Sequence, residues 1–422
     1  RPMSPRQNSR QRRLLLWLLP GCVLAAWLLW LRFEESTAAT LRESGRRHLR
    51  ERRDELAESA FERCLQRTPN DAELILLWAQ AVISGRNRTP QQAAELALTR
   101  LQQIPDSSPL AAEARMREGR LGLLVLQKPE FAEARLRKSL ELGPPTLDAC
   151  YLLWKLCDLT ERVAEAEPWF WAAYELTPEE QQPERLREWY TSQFSPQAAN
   201  AELDRLLGFL EPNRFSDDAV TLARLAAFRS HEPESSLTAA AEAHFMIHLR
   251  DRDPAIDLLL RHWQRPGANT NDFLMSTLVD VLLETGRLDE AQVIFERWTP
   301  SEGFQWLRTA GRMQQIVYQQ DSEALELFER ARPIWPGPID WSLLHYEAQS
   351  LARLGRRSES ESARARAKEI ELLMELDVHR ELRQALLDLR RPQNLQKIQD
   401  FYQKIGRDRE ANEWNRHRTR LF

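Results

Sequence analysis

Two histidines and two cysteines are the residues of this chain whose types and spacing could do chemistry. His244 and His248, in the stretch HFMIH, lie four apart. That spacing places both imidazoles on one helix face, where a pair can hold a metal ion. The glutamate that follows the first histidine in H-E-x-x-H is missing, and no third ligand stands at a matching distance, so the pair reads as an ordinary half-buried helix surface. Cys150 and Cys157 also share a helix face, but about 10 Å separates them, too far for a disulfide. They read as small apolar core residues, and four cysteines in all are too few for a disulfide scaffold. The chain has no G-x-G-x-x-G or lysine-bearing phosphate loop and no G-x-S-x-G elbow. We therefore expect no cofactor, no metal, no catalytic site and no small-molecule substrate.

The elements that would position side chains are helices. Of 422 residues, 42% are hydrophobic, 29% are charged and only 14 are glycine. Leu, Ala, Glu and Arg dominate, and such residues lose little freedom in a helix. The net charge of −4 leaves no basic footprint, so no nucleic-acid partner is expected.

Residues 14–31, LLLWLLPGCVLAAWLLWL, carry no charge and as a helix would reach about 27 Å, enough to cross a thin bilayer. Trp17, Trp27 and Trp30 suit the interfaces, and Pro20-Gly21 is tolerated within a span. The expectation is a retained single-pass anchor. A cleaved signal, with STAAT at 36–40 near the cut, stays open as an alternative. The LPGC ending at Cys22 resembles a lipoprotein site, yet the apolar run continues beyond it. Five arginines flank the segment on each side, but three of the leading ones abut it. The N-terminus is therefore expected in the cytoplasm and the rest on the exported side.

Beyond the anchor one pattern recurs: a small residue, an aromatic four later, a small residue three after that, and a proline five further on. Ala57, Phe61, Cys64 and Pro69 fit it, as do Ala166, Phe170, Ala173 and Pro178, and Ala324, Phe328, Ala331 and Pro336. Ala132, Leu136, Ser139 and Pro144 carry leucine in the aromatic slot, and Ala291, Phe295 and Trp298 end at Gly303. Glycines precede several of these helices, at Gly286, Gly355 and Gly406. A period of about 33–36 residues with two amphipathic helices per unit marks a helical solenoid. The motifs resemble the tetratricopeptide repeat family, which implies an all-α, TPR-like solenoid of helical hairpins; the apolar run 14–31 is expected to add one N-terminal transmembrane helix before it.

The chain then divides into a basic tail at 1–13, the span at 14–31, N-terminal units over 32–178, degenerate helical repeats over 179–270, C-terminal units over 271–367, and a long helix with a capping hairpin over 368–422. Gly355 and Gly406 are one and a half periods apart, so an odd helix is expected between them. The polar last helix suits a solvated cap, and the array is expected to behave as a one-dimensional stack.

In the family the first helix of each unit lines a concave groove that binds partner proteins. At the corresponding offsets stand Arg42, Arg46, Arg117, Tyr151 and Lys155 in the N-terminal units, and Phe273, Trp306, Met313 and His345 in the later ones. The resemblance thus implies a groove with a basic end, fit for an acidic partner segment, and an aromatic end. The function it implies is a non-catalytic interaction scaffold or adaptor tethered to a membrane. The alternative is a regulatory accessory subunit of an envelope enzyme or polymer-assembly system.

Overall fold

The computed structural model describes residues 39–160, 162–194 and 218–421, and within them every regular element is helical. The apolar stretch 14–31 lies outside these residues. Among those described, no helix is long and apolar enough to cross a membrane. The chain forms two compact units, Arg1–Leu121 and Gly122–Phe422.

The first unit begins with α1 (residues 39–50) and continues through α2 (Asp54–Leu65), α3 (Ala72–Ser84) and α4 (Pro90–Leu101) to α5 (Ala111–Leu124), whose last turn crosses the boundary. Here α3 packs on both α2 and α4. Phe61 of α2 is buried directly against Gly45 of α1, where a Cβ would sit 2.5 Å from the ring. This close approach is the physical content of the small-plus-aromatic motif.

The second unit continues with α6 (Pro129–Leu142), α7 (Leu147–Leu159), α8 (Val163–Leu176) and α9 (Gln182–Phe194). Beyond residue 217 come α10 (Asp218–His231), α11 (Ser236–His248), α12 (Arg252–Trp263), α13 (Asp272–Glu284), α14 (Leu288–Phe295) and α15 (Phe304–Met313), the last running into a π turn at Gln314–Tyr318. Then follow α16 (Asp321–Ala331), α17 (Trp341–Arg353), α18 (Arg357–Leu373), α19 (Leu376–Leu387), α20 (Pro392–Lys404) and α21 (Asp408–Leu421). The hairpins are α7/α8, α11/α12, α13/α14, α15/α16, α17/α18 and α20/α21, and α19 is the helix between Gly355 and Gly406 that belongs to no hairpin. Every small residue of the motif is buried, as are Phe170, Phe328 and Leu136 in the aromatic slot.

One turn closes most hairpins. The residue two before the second helix is left-handed at Arg52, Gln127, Arg250, Gly286, Gln319, Gly355 and Gly406. The next N–H then reaches back over the end of the first helix, as in Arg53 N to His48 O at 2.9 Å, Arg287 N to Leu282 O at 2.9 Å and Arg407 N to Tyr402 O at 2.8 Å. This is the helix-ending arrangement in which glycine is favoured because a Cβ strains the left-handed backbone. Arginine and glutamine accept that strain at four of the seven turns.

The one-dimensional expectation fails in the second unit. α9 buries Trp189, Tyr190 and Phe194 in one core with Leu382 of α19, Ile398 and Phe401 of α20 and Trp414 of α21. The polar last helix is accordingly no solvated cap: Glu410, Ala411, Trp414 and His417 are all buried. A second contact crosses the sequence at α6, whose first-turn N–H groups at Glu130 and Phe131 both donate to the Glu232 carboxylate at 2.9 Å. The reason is that α9 and the α20/α21 hairpin each carry an apolar face that their sequence neighbours among the described residues leave partly open, and the two faces cover one another.

Phe170 stacks on Trp189 with ring centroids 4.5 Å apart, inside this shared core. Phe170→Ala should therefore cost about 3–5 kcal/mol and accelerate hydrogen exchange in 376–421 as well as in 147–194; acceleration confined to α7 and α8 would restore the simple stack. At the turns, Gln319→Gly should stabilise by up to about 1 kcal/mol and Gly286→Ala destabilise by a similar amount, read as opposite shifts in thermal midpoint.

Candidate interaction surface on the first helices

The side chains expected in the groove meet acids of neighbouring first helices. In the first unit Arg42 of α1 pairs with Asp71, the N-cap residue of α3, and lies 3.6 Å from Glu73. Arg46 pairs with Glu73. Arg117 of α5 donates to the Leu76 carbonyl of α3 at 2.9 Å and to Glu113 at 2.6 Å.

The second unit repeats the device. Lys155 of α7 lies 3.2 Å from Glu188 of α9. Asp280 of α13 binds Arg308 and, at 2.8 Å, Arg312, both on α15. Arg308 also lies 3.5 Å from Asp340, the N-cap of α17. Burial would push the Asp280 carboxyl up, but Arg308 and Arg312 outweigh it and hold it below the usual carboxylate range. The expected basic end is thus corrected: Arg42, Arg46, Arg117 and Lys155 are each matched by an acid or a carbonyl, because adjacent first helices are cross-linked through them.

The aromatic candidates separate. Tyr151 is half-buried beneath the Arg185 guanidinium, 4.7 Å above its ring, with Lys155 at 5.5 Å. Lys155 also lies 4.0 Å over Trp154, and Glu188 accepts from Arg185 at 2.9 Å. Burial, reinforced by Glu188, pushes the Tyr151 hydroxyl up. Trp306 is half-buried and stacks on Phe295 at 6.5 Å, while its indole N–H is enclosed without a hydrogen-bond acceptor among the described residues. His345 is exposed. Phe273 and Met313 are corrected as surface positions: both are buried in the core of α10–α15. The structure therefore joins Tyr151 to Lys155 and leaves Trp306 and His345 as separate points.

A signal in the sequence went unread. Arg-x-x-Glu begins the second helix at Arg162/Glu165, Arg287/Glu290, Arg356/Glu359 and Arg407/Glu410, with N–O distances of 2.9, 2.7, 2.7 and 3.0 Å. The last pair is buried. There the Glu410 Oε1 also accepts from Trp189 Nε1 at 3.0 Å and Gln193 Nε2 at 2.9 Å, both on α9, and Arg407 reaches Glu167 of α8.

Clefts indent the second unit among the described residues. One of about 400 Å³ between α6 and α8 is walled by Leu140, Pro145, Cys150 and Trp169. Another of about 480 Å³ lies among Glu184, Arg187, Asp388, Arg390, Leu395 and His417. Among the described residues, no group of three or more His, Cys, Asp or Glu is placed to hold a metal ion.

Neither a protein-family profile nor a curated protein sequence matches the chain. Among solved structures it is similar to a chain of the APC/C hetero-tetramer Cut9-Hcn1, at 12% identity and TM-score 0.36, over 91% of this chain and 73% of that one. It is also similar to human IFIT1 in a dimer with m7Gppp-AAAA, at 16% identity and TM-score 0.29, over 87% and 77%. Both likenesses are loose, and the hairpin architecture stands on the packing described above.

Asp280→Ala should destabilise the second unit by about 3–5 kcal/mol, since Arg308 and Arg312 lose their buried counter-charge. Arg42→Ala, half-exposed, should cost about 1 kcal/mol or less. Chemical denaturation of the two variants checks the contrast, and equal losses would contradict it.

Proposed function

We propose that this chain is a non-catalytic scaffold or adaptor that binds partner proteins along its first helices, held at a membrane by residues 14–31. The observation that carries the reading is the division of labour within the hairpins. The small and aromatic motif residues are consumed in packing helix against helix, whereas first helices keep Tyr151 and Trp306 half-exposed and His345 exposed. Half-buried aromatics held rigid by their neighbours are good anchors for a partner surface, because little side-chain entropy remains to be lost on binding. The cations beside them already have internal counter-charges, so long-range attraction of an acidic segment is a weaker basis for recognition than shape and aromatic contact. The charge-free, tryptophan-flanked character of 14–31 supports the tether.

The test is quantitative partner capture from gently solubilised membranes. Tyr151→Ala and Trp306→Ala should each lower capture of the same partner several-fold while leaving helicity intact. Arg42→Glu with Arg46→Glu should change it little. Deletion of residues 1–35 should release the folded repeats from the membrane fraction, and retention there would refute the tether alone.

A further inference from the structure

The seam between α9 and α19–α21 contains an imidazole in an unusual position. His379 of α19 is 0% exposed. Its Nδ1 lies 2.6 Å from the Tyr190 hydroxyl of α9. Its ring packs against Phe194 of α9 and Phe401 of α20, with centroids 5.2 and 5.6 Å away. Its Nε2 is enclosed with no hydrogen-bond partner among the described residues. The titratable groups of this cluster are Tyr190 on α9, Tyr402 on α20 and Arg383, one turn along α19 and 2% exposed. None can accept a salt bridge from an imidazolium. Glu410, the carboxylate of the same core, faces away to Arg407, Trp189 and Gln193, and no carboxylate among the described residues acts on His379.

We propose that the docking of α19–α21 onto α9 is an acid-sensitive latch with His379 as its sensor: protonation of this imidazole has no counter-ion in the closed seam and favours its opening, which uncovers the aromatic face of α9. The device sits within the scaffold but does not depend on which partner that scaffold binds.

Burial alone accounts for the direction of the effect, holding His379 down to about 4 from an ordinary 6.5. The opened seam then binds a proton that the closed seam refuses, so closure weakens as pH falls from 6.5 toward 4 and changes no further below that. The second histidine of the seam is also held down to about 4, by burial first and then by the neighbouring Arg416, but its surroundings differ. His417 of α21 lies 2.9 Å from the Tyr174 hydroxyl, which itself donates to Glu413 at 2.8 Å. Around it stand Glu413, Glu179, Arg416 and Arg420, and Glu184, Asp388, Arg187, Arg390 and Glu180 share its cleft, so a charge there finds acids at hand. His262, also buried, belongs to α12, outside the seam.

The experiment is hydrogen exchange on the full chain at pH 6.5 and 5.0, corrected for intrinsic rates. In this window the ion-paired carboxylates Glu133 and Asp280, both held below the usual range, stay ionised, and the carboxyls that burial pushes up, Glu232, Glu242 and Glu347, lie outside 182–194 and 376–421. Exchange in 182–194 and 376–421 should rise roughly ten-fold at pH 5.0 while 54–101, in the first unit, stays unchanged. His379→Gln should remove most of the rise and His417→Gln a smaller part of it. An undiminished rise in His379→Gln, or uniform acceleration across the second unit, overturns the proposal. Should that variant fail to fold, the labelled His379 ring in the intact chain decides: a closed-state imidazole that titrates near 6.5 overturns the latch, and one still neutral at pH 5.0 supports it.

Discussion

Glu410 is fully buried where the end of the chain meets α9, and one of its oxygens gathers Arg407, Trp189 and Gln193. Gln193 is in turn held by the Tyr402 hydroxyl at 2.8 Å, and Arg407 extends to Glu167. A buried charged network of this kind tolerates little error, since removing any one member leaves the others desolvated and unpaired. It therefore does what an apolar stripe cannot: it specifies which turn of α21 sits against which turn of α9. The aromatic core around it, with Trp154, Phe170, Trp189 and Trp414, supplies the burial that the α20/α21 hairpin needs. The rest of the second unit, from α10 to α18, is spliced between two elements that pack together.

The Arg407/Glu410 pair is a version of a local device repeated at other turns. At Arg287/Glu290 and Arg356/Glu359 the same pair is half-exposed and contributes little to stability. At Arg162 the arginine is buried and shared with Glu133 of α6, and at Arg407 the pair becomes the centre of a tertiary seam. One repeated ion pair thus serves as decoration or as a keystone according to what packs on it.

Charge is distributed between first helices by the same logic. An arginine or lysine on one helix reaches an acid on its neighbour, at Arg42/Asp71, Lys155/Glu188 and Arg308/Asp280. The small residues of the motif lie on the second helices and serve the hairpin, and these ion pairs link one first helix to the next. The consequence is a face with little unbalanced charge, on which Tyr151 is fenced by Arg185 and Lys155 and Trp306 is braced by Phe295. Recognition there favours partners that fit, over partners merely attracted from a distance.

The sequence by itself determined the helices, their pairing into hairpins and the buried motif residues, because the 3.6-residue period, the small-aromatic spacing and the turn glycines are all local signals within about 35 residues. Ala166, Phe170 and Ala173 were legible in this way, and so was the unpaired helix between Gly355 and Gly406. Of the candidate site, the positions on the first helices were legible but their states were not. Arg42 and Lys155 look like free cations until the acid of the next helix is placed beside them, and Phe273 and Met313 look like anchors until neighbouring helices cover them. Only the tertiary structure decided that α9 is covered by residues some 200 positions later, since no periodicity encodes which of several apolar faces will meet. That choice rests on complementarity of shape and on buried groups such as Glu410 and His379, whose meaning depends entirely on what surrounds them.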